Sequence, residues 1–391
     1  GTALTEHSSP RRVAIILTRA QGFFRGALRG IKNYAVSQPW MIRMADPQNT
    51  SLETIRRWDP AGIIFQGRLP AEAAEVVGLG RPTVNVSGVL EPQLAPRVGA
   101  DDAAVGRLGA EHFLERGFRH FAFVGYSNYY YSNRREAAFI AALRKAGFRC
   151  EVFHEISELA ERRAVSDWTS VDEQLHRWLL SLPRPTALMA CNDFQGFELA
   201  QACRMAGLRV PEDVAILGVD NDELLCEMSQ PALSSIALPS ARIGYEAAAM
   251  LSRLMRGGSA PRTPELLPPT GVVVRASSDT VALDDAELAA ALRFIRERAW
   301  DPIGVRDVAA RTSLSRRSLE RRFTQTLGRT PLQEIRRVRM ERAKQLLANT
   351  DQPMPQVAQA SGFSNAERLS VVFREESGMT PTEYRRQFRL Q

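Results

Sequence analysis

Residues that bind metals or form cross-links are scarce in this 391-residue chain. The four cysteines, Cys150, Cys191, Cys203 and Cys226, are scattered, with no CxxC pair and no ligand spacing. They read as reduced thiols and exclude a disulfide framework or a zinc site. The five histidines, His7, His112, His120, His154 and His176, form no HExxH pattern. No run of 18 apolar residues occurs, so no segment is a candidate for a membrane-spanning helix. Gly1–Pro10 is polar and lacks the apolar centre of a secretory signal. It reads as an N-terminal tail, and a cytoplasmic location without membrane partners is expected. GxSxG, P-loop, GxGxxG and clustered metal ligands are all missing, so neither an enzyme nor a cofactor is expected.

Against these absences stands a duplication. Leu319-x3-Phe323-x4-Gly328-x-Thr330-Pro331 recurs 50 positions on as Leu369-x3-Phe373-x4-Gly378-x-Thr380-Pro381. A repeat in constant register is the first thing to read in a chain. Each copy ends in helix-start chemistry: Thr330 and Thr380 suit the N-cap, Pro331 and Pro381 the first helical position, and Gln333 and Glu383 can close capping boxes. Each copy also follows a short helix and a tight turn, the order of a helix-turn-helix. The charge agrees. Residues 286–391 hold 20 Lys+Arg against 12 Asp+Glu, whereas the rest holds 31 against 32. A basic block joined to a neutral one implies a polyanion partner for the block alone.

The neutral part, residues 11–277, alternates short β-rich runs with helical stretches. Val13–Leu17, Gly62–Phe65, Pro82–Ser87, Phe121–Gly125, Ala187–Cys191 and Val214–Val219 read as strands. Helical candidates lie near Phe23–Ser37, Asp102–Arg116, Asn133–Ala146, Val171–Leu182, Phe194–Ala206 and Ala241–Met255. This alternation predicts an α/β domain of parallel sheets covered by helices, with enough strands for two lobes. Ligands of such sheets sit beyond the carboxyl ends of the strands. There the chain places Thr18, Arg19, Gln21 and Phe23-Phe24, then Gln66 and Arg68, Asn192-Asp193, and Asp220-Asn221. Carboxylates, amides and a guanidinium suit the hydroxyls of a sugar, and an aromatic face suits its C–H side. Singly, each residue reads as a cap or loop hydrogen bond, and Asp193 and Asp220 stand where N-caps would.

Pro261–Pro269 reads as an irregular connector before a last strand, Gly271–Arg275. Residues 278–285 form a polar, small-residue linker. Residues 286–391 then predict an all-α domain of seven helices, with Pro331–Ala348 bridging two helix-turn-helix units. In each unit the second helix is expected to enter the major groove, its exposed N-terminal residues meeting base edges. In the first, Leu319 and Phe323 face inward, leaving Ser315, Arg316, Arg317 and Arg321 for DNA. In the second, Leu369 and Phe373 face inward, leaving Asn365 and Arg368 outward with Glu367 and Val371 beside them. Arginine suits guanine O6 and N7 or a phosphate, and asparagine suits adenine.

The segment from Gly362-Phe363-Ser364 through Phe373, Gly378, Thr380-Pro381 and Tyr384-Arg385-Arg386 resembles the DNA-binding domain of AraC-type transcription regulators, which adds Ser364 to the DNA-facing set. It departs from that pattern with Ser313 in the first turn, Val371 where a basic residue is common, and Leu369 and Ser377 in place of aromatics. Residues 11–277 resemble the LacI/GalR-type effector domain, of the periplasmic-binding-protein fold. The resemblance is carried by Asp101-Asp102, Glu111-His112-Phe113, Arg135-x-x-Ala138-Phe139, Cys191-Asn192-Asp193 and Leu217-Gly218-Val219-Asp220. It implies an effector cleft lined by Arg135, Asn192, Asp193 and Asp220, with Phe24 and Asp101 nearby. With about ten residues before Val13, the N-terminal DNA reader of that family is expected to be absent. A LacI-like sensor followed by an AraC-like reader resembles the D-xylose-responsive activators.

That resemblance implies a DNA-binding regulator controlled by a small-molecule effector, a pentose. It implies an activator working with RNA polymerase as a homodimer on direct repeats in double-stranded DNA. A regulator of the same build that answers to another sugar or a non-sugar metabolite, or that represses, stays open at this point.

Overall fold

The computed structural model describes residues 9–19, 21–90, 94–155 and 173–389. Residues 1–8 of the expected tail, and the first two of the helix expected from Val171, lie outside them. The chain runs β1 (Arg11–Ile16), α1 (Gly22–Ala35), β2 (Trp40–Ala45), α2 (Leu52–Trp58), β3 (Gly62–Phe65), α3 (Pro70–Val77), β4 (Thr83–Asn85) and β5 (Val98–Ala100). It continues α4 (Asp102–Leu114), β6 (Phe121–Tyr126), α5 (Tyr130–Lys145), β7 (Cys150–Glu155), α6 (Glu173–Ser181), β8 (Thr186–Ala190), α7 (Asp193–Met205) and β9 (Val214–Asp220). The α/β part closes with α8 (Glu223–Met228), β10 (Ser234–Ala237), α9 (Ser240–Met255), β11 (Glu265–Leu267) and β12 (Gly271–Val273).

Two sheets make two lobes. The first has the order β2-β1-β3-β4 and is parallel throughout, with Ile15 opposite Ile64 and Ile64 opposite Val84. The second has the order β12-β10-β9-β8-β6-β7, parallel except where β12 meets β10. β3, β6 and β8 are buried along their whole length, as strands covered by helices on both faces must be. Alternation could not find β2, an edge strand with Met41, Ile42 and Met44 exposed. Helices α1 and α9 cross at backbone contact: a Cβ on Gly30 would lie 1.7 Å from the Ala241 carbonyl oxygen, and one on Gly244 1.9 Å from that of Ala27. Helix α4 packs as closely on α5, where Gly106 faces the Arg135 carbonyl. That contact sets the start of α4 beside the Arg135 side chain.

The remainder is helical: α10 (Ala286–Arg298), α11 (Val305–Ala309), α12 (Arg316–Leu327), α13 (Pro331–Asn349), α14 (Met354–Ala360), α15 (Ala366–Ser377) and α16 (Pro381–Phe388). The duplicated block is present in both copies. Gly328 and Gly378 end α12 and α15 at φ 72° and 74°, a left-handed conformation that glycine adopts without strain. Thr330 with Gln333, and Thr380 with Glu383, close the two capping boxes. Helix α13 serves two cores. Ile335 and Val338 pack with Leu292, Leu319 and Phe323, whereas Met340, Ala343 and Leu347 pack with Leu369, Phe373 and Tyr384. Phe323 and Phe373 are fully buried, and each contributes about 1.5–3 kcal/mol through burial.

The stretch expected to be a free linker is packed. Ser278, at its start, is fully buried, and its hydroxyl lies 2.8 Å from His112 Nε2 and 2.6 Å from the Ser234 hydroxyl. Ala282 N–H donates to the Arg116 carbonyl, and Arg296 binds Asp279 and the Thr280 carbonyl. Small polar residues here fill buried hydrogen-bonding positions, a use that composition alone does not distinguish from a tether. The helical block also meets the α/β part through Glu115 at the end of α4. Arg337 pairs with Glu115 at 2.5 Å, and Arg329 donates to its carbonyl. Both arginines also bind Glu334, which is fully buried. Although burial pushes the Glu334 carboxyl upward, Arg337 and Arg329 hold it at about 2. At the other end of the block, the Tyr384 hydroxyl donates to the Thr270 carbonyl.

Candidate functional site

A cavity of about 510 Å³ lies between the two lobes, at the carboxyl ends of their strands. The loop after β1 supplies Thr18, and α1 supplies Phe23 and Phe24; the loop after β3 supplies Gln66 and Arg68; the residue before β5 is Arg97. From the second lobe come Asp102 of α4, Tyr131 and Arg135 of α5, Asn192 and Asp193 after β8, Asp220 at the end of β9 and Asp222 after it. Phe23 and Phe24 meet edge-to-face at 5.1 Å.

Arg135 organises the second lobe's wall. Its Nε donates to Asp102 at 3.0 Å, its Nη1 to the Cys191 carbonyl at 2.6 Å, and its guanidinium lies 4.6 Å from the Tyr131 ring centre. Asn192 caps α7 by accepting from Gln195 N–H, while its Nδ2 donates to the Tyr131 hydroxyl at 2.9 Å. Asp193 accepts from the Ser235 hydroxyl at 2.5 Å, from Asp222 N–H at 2.8 Å and from the Cys226 thiol. Burial, and then Asp220, push its carboxyl well above the ordinary range. Asp220 is raised to about 7 by burial, with Arg135 opposing and Asp222 and Asp102 adding to the rise. Its backbone is held at φ 114° and that of Asn221 at φ 51°, a strained pair of about 1–3 kcal/mol each in an otherwise regular strand end. Asp222 joins the lobes: one carboxylate oxygen caps α8, and the other accepts from Gly22 N–H at the start of α1, at 3.2 Å.

Of the effector residues expected from the sequence, Phe24, Arg68, Arg135, Asn192, Asp193 and Asp220 line this cavity. Two expected ones do not. Asp101 is the N-cap of α4, accepting from Ala104 N–H, and its neighbour Asp102 faces the cavity instead. Asn221 turns away to accept from Arg275, and Asp222 takes its place. The capping role considered for Asp193 and Asp220 falls to Asn192 and Asp222. Arg97, Asp102, Tyr131 and Asp222 were missed. The tyrosine run after β6 was a local signal, whereas Arg97 gave none, since it is brought to the cavity by the bridge between its backbone and Asn85.

The helical block presents the second candidate site. Ser315, Arg316, Arg317 and Arg321 are exposed on the first two turns of α12, and Ser364, Asn365 and Arg368 at the start of α15. Leu319, Phe323, Leu369 and Phe373 point inward with no exposure. Ser315 and Asn365 are themselves N-caps, accepting from Ser318 and Arg368 N–H. Arg316 is paired with Glu320 at 3.2 Å, whereas Arg317 and Arg321 make no ion pair among the described residues. Val371 is 47% exposed on the same helix as Arg368.

Comparison with known proteins agrees with both halves. The periplasmic binding protein-like domain family matches residues 110–278, and a helix-turn-helix domain family matches residues 308–387. The xylose operon regulatory protein of Haemophilus influenzae is 29% identical over 384 residues, covering 96% of this chain and 98% of that protein. Its counterpart in Escherichia coli K12 is 28% identical over 385 residues, covering 96% of each. The solved structure of the xylose-binding transcription activator xylR matches with a TM-score of 0.61 at 26% identity, over 97% of this chain and 99% of that one. A periplasmic-binding-protein-like domain followed by an AraC-type helix-turn-helix domain defines a transcription regulator. Within that class the chain is a homologue of the xylose operon regulatory proteins. Among the described residues no helix is long and apolar enough to cross a membrane.

Proposed function

We propose that the chain is a cytoplasmic sensor of a pentose, D-xylose first, that converts occupancy of the interlobe cleft into binding of double-stranded DNA. In this reading residues 11–277 sense and residues 286–391 read. The observation that carries it is one polypeptide holding both parts: a cleft lined by amide, carboxylate and guanidinium groups, and two exposed recognition helices on a block docked to the second lobe of that cleft. Phe24 packs on the sugar's C–H face, and Asn192, Asp220 and Arg135 take its hydroxyls. Arg317, Arg321, Arg368 and Asn365 contact DNA, with Ser315, Ser364 and Arg316 beside them. Two recognition helices on one block suit major grooves about one turn, ~34 Å, apart, hence direct repeats. The active species is a homodimer that recruits RNA polymerase, and no catalysis is assigned to it.

A nucleobase-type effector is the second reading, favoured by the aromatic lining of Phe23, Phe24, Tyr126, Tyr129, Tyr131 and Phe194. Calorimetric titration with D-xylose, other monosaccharides and nucleosides separates the two. Selective D-xylose binding supports the proposal; selective nucleoside binding replaces the sugar with a base; silence across the panel ends both.

A further inference from the structure

The duplication puts α12 and α15 in one frame, so that each position of one has an equivalent in the other. Leu319 and Leu369 are fully buried, as are Phe323 and Phe373. Ser315 and Asn365 cap their helices in the same way, each accepting from the N–H three residues on. The two helices therefore turn equivalent positions outward. At about 3.6 residues per turn, 317 with 321 and 367 with 371 lie one turn apart, on the side opposite the buried leucine and phenylalanine.

The side chains at these equivalent positions differ in kind. Helix α12 carries Arg317 and Arg321, whereas α15 carries Glu367 and Val371. Over its first six residues α12 has three arginines against one glutamate, and α15 has one of each. Glu367 is exposed and makes no ion pair among the described residues. Val371 is 47% exposed, the one large apolar side chain exposed on either helix. A single exposed valine is ordinary by itself, but a β-branched residue is a poor helix former and gains little here from burial. A surface built for phosphate would hold neither group, since a carboxylate repels phosphate and valine offers it no donor. Base edges suit both. In the major groove thymine shows an apolar methyl and cytosine an amino donor, and these two groups distinguish the pyrimidines.

We infer that the two units bind DNA differently: α12 anchors it by charge, and α15 reads pyrimidines. Val371 packs on a thymine methyl, and Glu367 accepts from the amino group of a cytosine. Residues about one turn apart on a helix in the major groove meet successive base pairs, so the thymine and the cytosine belong to adjoining pairs. This rests on the reading of α12 and α15 as the DNA-facing helices.

The test uses the full chain with D-xylose present and a duplex selected for binding to it from a randomised pool. Each thymine is replaced in turn by deoxyuridine, which removes the methyl and nothing else. The expected result is a thymine beside a cytosine pair whose replacement weakens binding about fourfold, the contribution of one buried methyl group. Val371→Ala is expected to bring that ratio close to one and to leave the salt dependence of binding as in the parent, whereas Val371→Ile keeps the ratio. Glu367→Ala is expected to lose the preference for cytosine at the adjoining pair and to bind random-sequence duplex more tightly than the parent. A duplex insensitive to every uracil replacement overturns the thymine contact and leaves the proposed function standing. A uracil effect that survives Val371→Ala overturns the assignment to Val371 and gives the exposed valine to a protein partner. A cytosine preference that survives Glu367→Ala overturns the assignment to Glu367. Failure to select any duplex overturns the DNA-facing reading of both helices as well. The uracil scan on the unaltered chain needs no variant to fold.

Discussion

The cleft and the exposed helices α12 and α15 are built in opposite ways. The cleft's charged groups are buried and bound to one another across long stretches of chain: Arg135 to Asp102, 33 residues apart, and Gly22 to Asp222, 200 apart. The groups at the starts of α12 and α15 are exposed, and the contacts that hold them are local: the two N-caps, and the Arg316–Glu320 pair one turn along α12. In the proposed reading a residue of the cleft therefore supports the fold and the ligand together, whereas Arg317 and Arg321 serve the ligand alone, and Ser315 and Asn365 also cap their helices.

The largest effect expected from this difference is at Arg135. Arg135→Ala leaves Asp102 buried without its principal partner and is expected to lower stability by about 3–5 kcal/mol, read by denaturant unfolding. A loss under about 1 kcal/mol would mean that the cleft is not built around this pair. Glu334→Ala removes the carboxylate partner of Arg329 at the junction between the two parts, while Arg337 keeps Glu115 and Glu341, at an expected cost of about 3 kcal/mol. It is also expected to reduce the change in DNA affinity that the effector causes; an unchanged response would place the coupling elsewhere. Asp220→Asn is expected to weaken effector binding by about 2–4 kcal/mol in calorimetry.

Smaller effects are expected where groups are exposed. Arg317→Ala should weaken operator binding by about 1–3 kcal/mol if it reads a base, or lower the salt dependence by about one counterion if it holds a phosphate. Its stability is expected to stay within about 0.5 kcal/mol of the parent. A joint loss of stability and DNA binding would break the contrast between the two regions.

The pH dependence is the mildest test. The Asp220 carboxyl is raised to about 7, so the empty fold favours its protonated form and loses stability as pH rises through about 7. An effector hydroxyl that donates to the ionised carboxylate competes with that proton. Affinity is therefore expected to fall by up to about tenfold from pH 8 to pH 6. A flat profile would remove Asp220 from direct contact.

The same contrast explains what the sequence revealed. All seven helices of the basic block were legible, because capping boxes, glycine stops and the Leu-x3-Phe spacing are local signals. The exposed set on α12 and α15 followed directly from that spacing. In the α/β part the long buried strands were legible, whereas β2, β5, β7, β10 and β11 were not, being short or on sheet edges where composition is mixed. At the cleft the right strand ends were found, but two assignments moved by one residue. Asp101 and Asp102, and Asn221 and Asp222, are adjacent polar residues, and which of each pair caps and which faces the cavity depends on the turn leading into the next helix. Arg97 lies at the cleft only because a bridge to Asn85 puts it there, and no local pattern announces that.

Two sites in one chain are coupled only if each alters the other's affinity, and by the same factor. The decisive measurement is D-xylose affinity by calorimetry, with and without a DNA duplex selected for binding to the full chain. A cleft that controls the recognition helices predicts a shift of about 5–150-fold between the two titrations, matched by an equal shift in DNA affinity when D-xylose is added. Equal D-xylose affinities in the two titrations would contradict it.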